Sequence, residues 1–362
     1  MPLWTRIEQN FKRNGLKLLE YFLGQEKINP ENVDHTKINR ILIVRQHDQL
    51  GDFLLSTPVL KALRGHFPSA FIAVLVRSYT EPVVRNNRFI NDVITLYEVG
   101  YNWNFSKIRN FWRQLRTGYD LTIVINTVSH SLSSDLLSWL SGAKYILGPS
   151  HRIFPGTNRN FFYNLIIPFE DDERHQSEKN MDIVRYLGIN SPDLKQHITI
   201  LEEEKKWVKE QFATLGLDPN QNIVGIHPGA GKLKNRWAIE NFVEVAKKLT
   251  EEFNAQILLF HGPNEIDLRD QFLKDLNVPV FFNNDLRKIA SAFKCLTFFV
   301  GNDTGTTHVA AAVGTPLVVI FGPTPANEWK PWGEEFVALQ GKENSCDTIT
   351  VNDVLKHIKL NY

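Results

Sequence analysis

The chain has almost no cysteine. Of 362 residues only Cys295 and Cys346 carry a thiol. They lie far apart in no metal-ligand spacing, which gives no disulfide framework and fits a reducing compartment. Long hydrophobic runs are missing as well. No stretch approaches about 18 uninterrupted apolar residues, so no transmembrane helix is expected. The first residues lack the apolar core and small-residue cleavage site of a signal peptide. The expected compartment is therefore the cytoplasm. Charge of one sign is also absent: 41 Lys and Arg face 40 Asp and Glu, for a net charge of +1. That excludes a global field for polyanions, and no nucleic-acid partner is expected. Finally, no Gly-x-Gly-x-x-Gly follows a first strand, which argues against a dinucleotide oxidoreductase.

Hydrophobic residues make up 43% of the chain, ample core for about two domains of roughly 150 residues. The most informative stretch runs from Val300 to Pro325. An apolar run, Leu296 to Val300, ends in Gly-Asn-Asp-Thr-Gly-Thr-Thr-His. A small-residue helix (Val309 to Val313), Gly-Thr-Pro and a second apolar run (Leu317 to Phe321) follow. This reads as one βαβ unit. Ligands of open α/β sheets bind beyond the carboxyl ends of strands. Asp303, Thr304, Gly305, Thr306, Thr307 and His308 fall there, before a helix N-terminus whose N–H groups suit an anion. A plain capping turn needs one such residue, not six.

Two more loops carry related chemistry. Strand Ile223–Ile226 leads into His227-Pro-Gly-Ala-Gly231, then Lys232, Lys234 and Arg236 before Trp237. Backbone amides at Gly229 and Ala230 beside three cations suit an anion, although a basic loop is the plainer reading. Strand Gln256–Phe260 ends in His261-Gly-Pro-Asn-Glu265. There Glu265 either accepts from ribose hydroxyls or starts a helix. The remaining strands of this half are expected at 278–282, 297–300 and 317–321, with a last helix over 352–360.

The first half alternates similarly. Strands are expected at 41–44, 71–76, 92–97, 121–126 and 145–148, with an amphipathic segment over 53–67 and helices over 106–117 and 133–140. Gln46 to Asp52 forms the loop after the first strand. Gly51 permits a tight turn, and Asp52 sits near a helix start, as an N-cap or as a functional carboxylate. Ahead of this, Trp4, Ile7, Phe11, Leu18 and Phe22 mark an amphipathic, mildly basic helix. It packs on the body or a second copy, or lies on an anionic membrane. Asp171, Asp172 and Glu173 lack the further ligands a metal needs and read as solvated. The domains expected are an N-terminal helix and tether (1–38), an α/β domain (39–170), a connector (171–222) holding helices over 177–187 and 202–215, and a second α/β domain (223–362).

With these motifs assembled, residues 39 to 360 resemble the GT-B glycosyltransferases, and within them the heptosyltransferases of glycosyltransferase family 9. Carrying the likeness are Ile41 to Arg45 with Leu50-Gly51-Asp52 and Pro58, His227-Pro-Gly-Ala230 with Trp237, Gly262-Pro-Asn-Glu265, and Gly301 to His308 running on to Phe321-Gly-Pro323. The resemblance implies two Rossmann-like, doubly wound domains facing across a cleft. It implies an inverting, metal-independent transfer of a sugar, heptose from ADP-heptose being the family's best-known case, to a lipopolysaccharide-core or related saccharide. Asp52 matches the general base. Asp303, Thr304, Gly305, Thr306 and His308 match the donor's diphosphate and sugar loop, Gly229 and Ala230 positions near the diphosphate, and Glu265 a ribose contact. Gly51 and Arg45 fall on the acceptor side. No cofactor is implied beyond the nucleotide diphosphate sugar as co-substrate. A lipid-linked acceptor would suit peripheral contact with the cytoplasmic membrane through residues 1–27. The family's phosphate-binding Lys, two residues before the loop Trp, is here Asn235, so Lys232, Lys234 or Arg236 must supply that charge. A catalytically inactive nucleotide-sugar-binding protein, or a non-transferring enzyme such as an epimerase, is the alternative.

Overall fold

The computed structural model describes residues 14–46, 49–97, 103–129, 131–150, 154, 157–168 and 172–360. The chain divides into two compact units. The first comprises residues 1–81 and 85–193, the second residues 82–84 and 194–362. Helix Gln176–Arg185 thus falls in the first unit and helix Glu202–Thr214 in the second.

In the first unit the strands are β1 (Arg40–Val44), β2 (Phe71–Arg77), β3 (Asp92–Leu96), β4 (Leu121–Val124), β5 (Tyr145–Pro149) and β6 (Leu165–Ile167). They form one parallel sheet in the order β3-β2-β1-β4-β5-β6. Ile41, Leu42, Ile43 and Val44 are all buried, because helices cover both faces of a parallel sheet and leave no polar side. The chain leaves β1 in one direction and returns on the other side as β4. A crevice therefore opens at the carboxyl ends of those two strands.

The apolar segment after β1 is two helices rather than one, Leu50–Leu54 and Thr57–His66. Between them Ser56 Oγ donates to Phe53 O at 2.6 Å and Thr57 Oγ1 to Leu54 O at 2.7 Å. Pro58 sits in the first turn of the second helix, where its missing N–H costs nothing. Helices Phe105–Leu115 and Leu132–Leu140 pack on a single face of the sheet. Phe111 and Leu115 join Leu42, Val44, Leu75 and Ile94 in one core cluster, and Leu137, Trp139 and Leu140 rest against it.

Residues 14–23 are helical, and Leu23 reaches the same cluster. Residues 1–13 of the expected amphipathic helix lie outside the described residues. The tether behind it is docked: Gln25 N–H donates to Phe161 O at 2.9 Å and Ile28 N–H to Asn164 O at 2.8 Å.

In the second unit the strands are β7 (Ile223–His227), β8 (Gln256–Phe260), β9 (Val280–Phe281), β10 (Phe298–Asn302), β11 (Leu317–Phe321) and β12 (Phe336–Gln340). The order is β12-β11-β10-β7-β8-β9, again wholly parallel and the same doubly wound arrangement. β6 and β12 are the strands not expected from sequence. β6 has three residues, and β12 is a half-exposed edge strand without a continuous apolar run. The last helix is Val351–Leu355, closed at its start by a reciprocal Thr350–Asp353 capping box.

Gly148 of β5 shows how tightly the first unit packs. A Cβ there would lie 2.3–2.7 Å from three ring atoms of the fully buried Tyr163, whose hydroxyl donates to Asp135. Gly148→Ala is expected to destabilise this unit by about 1–3 kcal/mol through overpacking, read as a lowered melting temperature. An unchanged melt would show that the ring can move.

Candidate nucleotide-sugar site

In the second unit, β7 and β10 are neighbours whose connections run in opposite directions, so their carboxyl ends mark the switch point. His227 ends β7 and Asn302 ends β10. The Asn302 side chain is fully buried and ties the surrounding loops together. Its Oδ1 accepts from Trp237 N–H at 3.1 Å, and its Nδ2 donates to Pro228 O at 2.8 Å. Its own carbonyl accepts from Thr307 Oγ1 at 2.6 Å. The indole of Trp237, buried beneath the loop, donates to Ile349 O at 2.9 Å.

The helix after β10 spans Gly305–Ala312, with Thr304 as N-cap accepting from Thr307 N–H. His308 N–H bonds to Thr304 O. This leaves the N–H groups of Gly305 and Thr306 at the positive end of the helix, the geometry of an anion site. Val309 through Ala312 are all buried, so the small side chains bring the helix close to the sheet. The His308 ring is buried as well. The Gln196 amide lies 2.9 Å from its Nδ1.

Asp303 lies between these pieces. Burial pushes its carboxyl above the ordinary carboxylate range, opposed by a hydrogen bond from Thr324 and the charge of Lys232. Asn235 Nδ2 donates to both Asp303 Oδ2 and Thr324 Oγ1 at 3.3 Å. Reversing that amide would set its oxygen against the carboxylate, so the orientation is fixed. The buried Oδ1 of Asn235 then has no protein donor. A carbonyl oxygen beside a carboxylate takes hydroxyl protons and repels phosphate oxygens. Gly322 lets the loop after β11 approach the 232–236 segment, since a Cβ there would meet Cys346 Sγ at 2.7 Å and Lys234 O at 3.0 Å. Burial, with the charges of Asp347 and Asp303, pushes the Cys346 thiol up to about 11, so it stays a neutral packing group.

Glu265 is fixed on the other flank. Its Oε2 accepts from Gly262 N–H at 2.6 Å and pairs with His227 Nε2 at 2.9 Å. Burial alone would raise its pKa. The His227 and Gly262 hydrogen bonds and the Arg236 charge outweigh that and hold it down to about 2. A Cβ on Gly229 would lie 2.0 Å from Glu265 Oε1, so only glycine lets the 228–231 loop rest on this carboxylate. Ala230 O accepts from Arg236 Nε at 2.9 Å. Of the three loop cations, Arg236 is thus turned toward Ala230 and Glu265, and Lys232 is the one whose charge reaches Asp303. Lys232 and Lys234 are both exposed.

The expected donor residues 229, 230, 232, 234, 236, 265, 303–306 and 308 therefore lie on loops and helix starts at the carboxyl edge of one sheet. Asn302, Thr324, Gln196 and Trp237's partner Ile349 complete the setting. Sequence inspection passes over Asn302 as one more polar loop residue, although its place at the end of an apolar run marks it.

In the first unit, Asp52 is the third residue of helix Leu50–Leu54, within its first turn. Its backbone oxygen accepts from Arg45 Nη2 at 3.1 Å, and Arg45 is buried just beyond β1. Gly51 lies in the same helix. Asp48 is outside the described residues. Farther along the same edge, Gln46 Nε2 donates to Ser133 and Ser134 hydroxyls at 2.8 and 2.9 Å. Asp172 of the acidic run forms an ion pair with Arg174 at 2.6 Å, and Asp171 is outside the described residues. Among the described residues no group of three or more His, Cys, Asp or Glu is placed to hold a metal.

Two doubly wound sheets, with a helix start at the switch point of the second, define an α/β protein of the GT-B class. The glycosyltransferase family 9 (heptosyltransferase) model matches residues 108–359, and the chain belongs to that family. It is a glycosyltransferase. Lipopolysaccharide heptosyltransferase 3 of Escherichia coli K12 is 27% identical over 298 residues, covering 79% of this chain and 84% of that one. A putative glycosyltransferase of Haemophilus influenzae is 24% identical over 352 residues, 89% of this chain and 96% of its own. Among solved structures, a family 9 glycosyl transferase from Veillonella parvula superposes with a TM-score of 0.77 at 21% identity, over 88% of this chain and 95% of that one. Escherichia coli heptosyltransferase WaaC with ADP gives 0.70 at 19% identity, over 88% and 98%. These last two show the fold.

The two carboxylates have opposite pH signatures. Glu265, depressed in the folded state, contributes stability that is complete above its unfolded value near 4.5 and is lost as pH falls toward 2. Glu265→Gln is expected to flatten the loss of stability between about pH 4.5 and 2, measured by denaturant unfolding across that range. An unchanged acid limb would remove the His227–Glu265 pair from the loop's support.

Proposed function

We propose that the chain transfers heptose from ADP-heptose to a lipopolysaccharide-core saccharide by a single inverting displacement, without a metal. The observation that carries this reading is the switch-point site itself, where the N–H groups of Gly305 and Thr306 meet the charge of Lys232. Together they offer a diphosphate the neutralisation a divalent cation would otherwise supply. Lys232 takes the phosphate charge in place of Asn235. The Asn235 carbonyl and Asp303 carboxylate accept from hydroxyls of the donor sugar, and Glu265 Oε1 accepts from the ribose. The relatives named for ADP-heptose and lipopolysaccharide support the choice of donor and acceptor.

Asp52 acts as general base. It takes the proton from the acceptor hydroxyl as that oxygen attacks the anomeric carbon on the face opposite the diphosphate. The C–O bond to the nucleotide breaks as the new glycosidic bond forms, and the diphosphate leaves as the anion held at 305–306. Arg45 fixes the backbone at Asp52, which sets where that carboxylate points. A peripheral position at a membrane, with contact through residues 1–27, fits a lipid-anchored acceptor. No helix among the described residues is long and apolar enough to cross a membrane.

Asp52→Asn is expected to lower turnover about 100-fold or more with donor affinity little changed, since only the proton acceptor is removed. A variant with near-normal turnover takes Asp52 out of the mechanism. Asp303→Ala is expected instead to weaken donor binding about tenfold or more, measured by titration calorimetry with ADP-heptose in EDTA. Unchanged affinity would reject the sugar contact. Binding that collapses in EDTA for the unaltered chain would reject metal independence. Conversion of nucleotide sugar with no acceptor present would favour the epimerase reading.

A further inference from the structure

Exposed large hydrophobic side chains are unevenly spread over this molecule. Thirteen occur among the described residues, and nine of them sit on three helices of the first unit: Leu18, Leu19, Tyr21, Phe22, Phe105, Ile108, Trp112, Leu132 and Leu136. Those helices, residues 14–23, Phe105–Leu115 and Leu132–Leu140, rest on one face of one sheet, because Leu23, Phe111 with Leu115, and Leu137 with Trp139 all pack into the same core cluster. They form a single outer layer. Scattered exposed apolar groups need no explanation, but a layer holding most of them marks an interaction surface.

Charge selects the partner. Residues 99–119 contain Lys107, Arg109, Arg113 and Arg116 and no Asp or Glu, in a chain whose net charge is only +1. On helix Phe105–Leu115, Phe111 and Leu115 point inward. Phe105, Ile108 and Trp112, at i, i+3 and i+7, form an exposed apolar stripe, and Arg109, Arg113 and Arg116 form the stripe beside it. Phe105 is 81% exposed. None of these three arginines has an ion-pair partner among the described residues. In the neighbouring helix the acidic Asp135 is buried, taken up by the Tyr163 hydroxyl. Glu20, on the helix of residues 14–23, is half-buried and accepts from Asn158 N–H. Aromatic and aliphatic tips beside arginines that have no ion-pair partner among the described residues, on a helix without acid, match an interface of anionic head groups over acyl chains.

We propose that this three-helix layer is a docking surface for an anionic phospholipid bilayer, with Phe105 and Trp112 entering the head-group region and Arg109, Arg113 and Arg116 meeting lipid phosphates. It extends membrane contact well beyond the N-terminal helix. It is also independent of the donor assignment, since every residue involved belongs to the first unit.

Co-sedimentation with vesicles tests it, using phosphatidylethanolamine and phosphatidylglycerol in equal parts against pure phosphatidylcholine. The full chain is expected to partition at least about tenfold more strongly onto the anionic vesicles, less so at about 1 M salt. Phe105→Ser with Trp112→Ser, and separately Arg109→Gln with Arg113→Gln, should each lower that partition about tenfold. Ile266→Ser with Phe282→Ser, exposed residues of the second unit, should leave it unchanged. Melting temperatures of the exposed-site variants should match the unaltered chain, and Leu18→Ser with Phe22→Ser provides a second, separate test of the layer. Equal binding to both vesicle types, no binding by the unaltered chain, or insensitivity to both first-unit pairs overturns the proposal. So does a solution dimer that the Phe105→Ser, Trp112→Ser variant dissociates, because a second copy would then be the occupant.

Discussion

The donor-side site depends on one buried amide. Asn302 ends β10, and its side chain carries two donor hydrogens and an acceptor oxygen buried away from bulk solvent. It meets that requirement by taking the Trp237 N–H and giving its own hydrogens to the loop carbonyls near 228. Each such bond left unmade in a buried setting costs about 1–3 kcal/mol, so the loop has one low-energy position. That position brings the 228–237 segment beside the helix start at Gly305. Without it, the basic loop and the anion-binding turn would be two unrelated features of the same sheet edge.

From that constraint the division of labour follows. Asn235 is drawn in until its amide bridges Asp303 and Thr324, which puts a neutral amide there rather than a cation. Arg236 is turned toward Ala230 O and Glu265. Lys232 is left to supply the positive charge that reaches Asp303. A loop that looks on paper like three interchangeable cations is, when folded, one clamp for the backbone and two exposed lysines, of which Lys232 acts on Asp303. Glu265 belongs to the same scheme. One of its oxygens is spent on His227 and Gly262, and the other lies against Gly229.

Much of this was legible in the sequence, for definable reasons. Continuous apolar runs such as Ile41–Val44 and Leu317–Phe321, short and rich in β-branched residues, suit parallel strands covered on both faces. Loops after such strands are where ligands of α/β sheets bind, so the donor residues could be placed by order alone. The failures lie where local signal is weak. β12 mixes buried and half-exposed residues at a sheet edge, and β6 has three residues, too few for a pattern. The break at Leu55 and Ser56 depends on side-chain-to-backbone bonds that compete with the helix, which composition does not reveal. Asn302 was hidden because its role consists wholly of long-range partners, Trp237 and Pro228, some 65 and 74 positions away.

The outer layer of the first unit shows a different kind of legibility. The stripe of Phe105, Ile108 and Trp112 is helical in period, and by period alone it belongs in a core. The core side of that helix is instead Phe111 and Leu115, which already fill the space over β1, β2 and β3. A helix whose apolar face runs on past its core residues to an exposed stripe, with a basic stripe beyond that, has more hydrophobic surface than its sheet covers. For a protein at neutral net charge, leaving that surplus in water beside unpaired arginines would weaken solubility with no gain to folding. The surplus is what the proposed bilayer contact would cover, and the absence of acid from residues 99–119 suits an anionic partner. The same reasoning separates the two units: the second confines its polar chemistry to one sheet edge and exposes few large apolar groups, while the first carries nearly all of them on one layer.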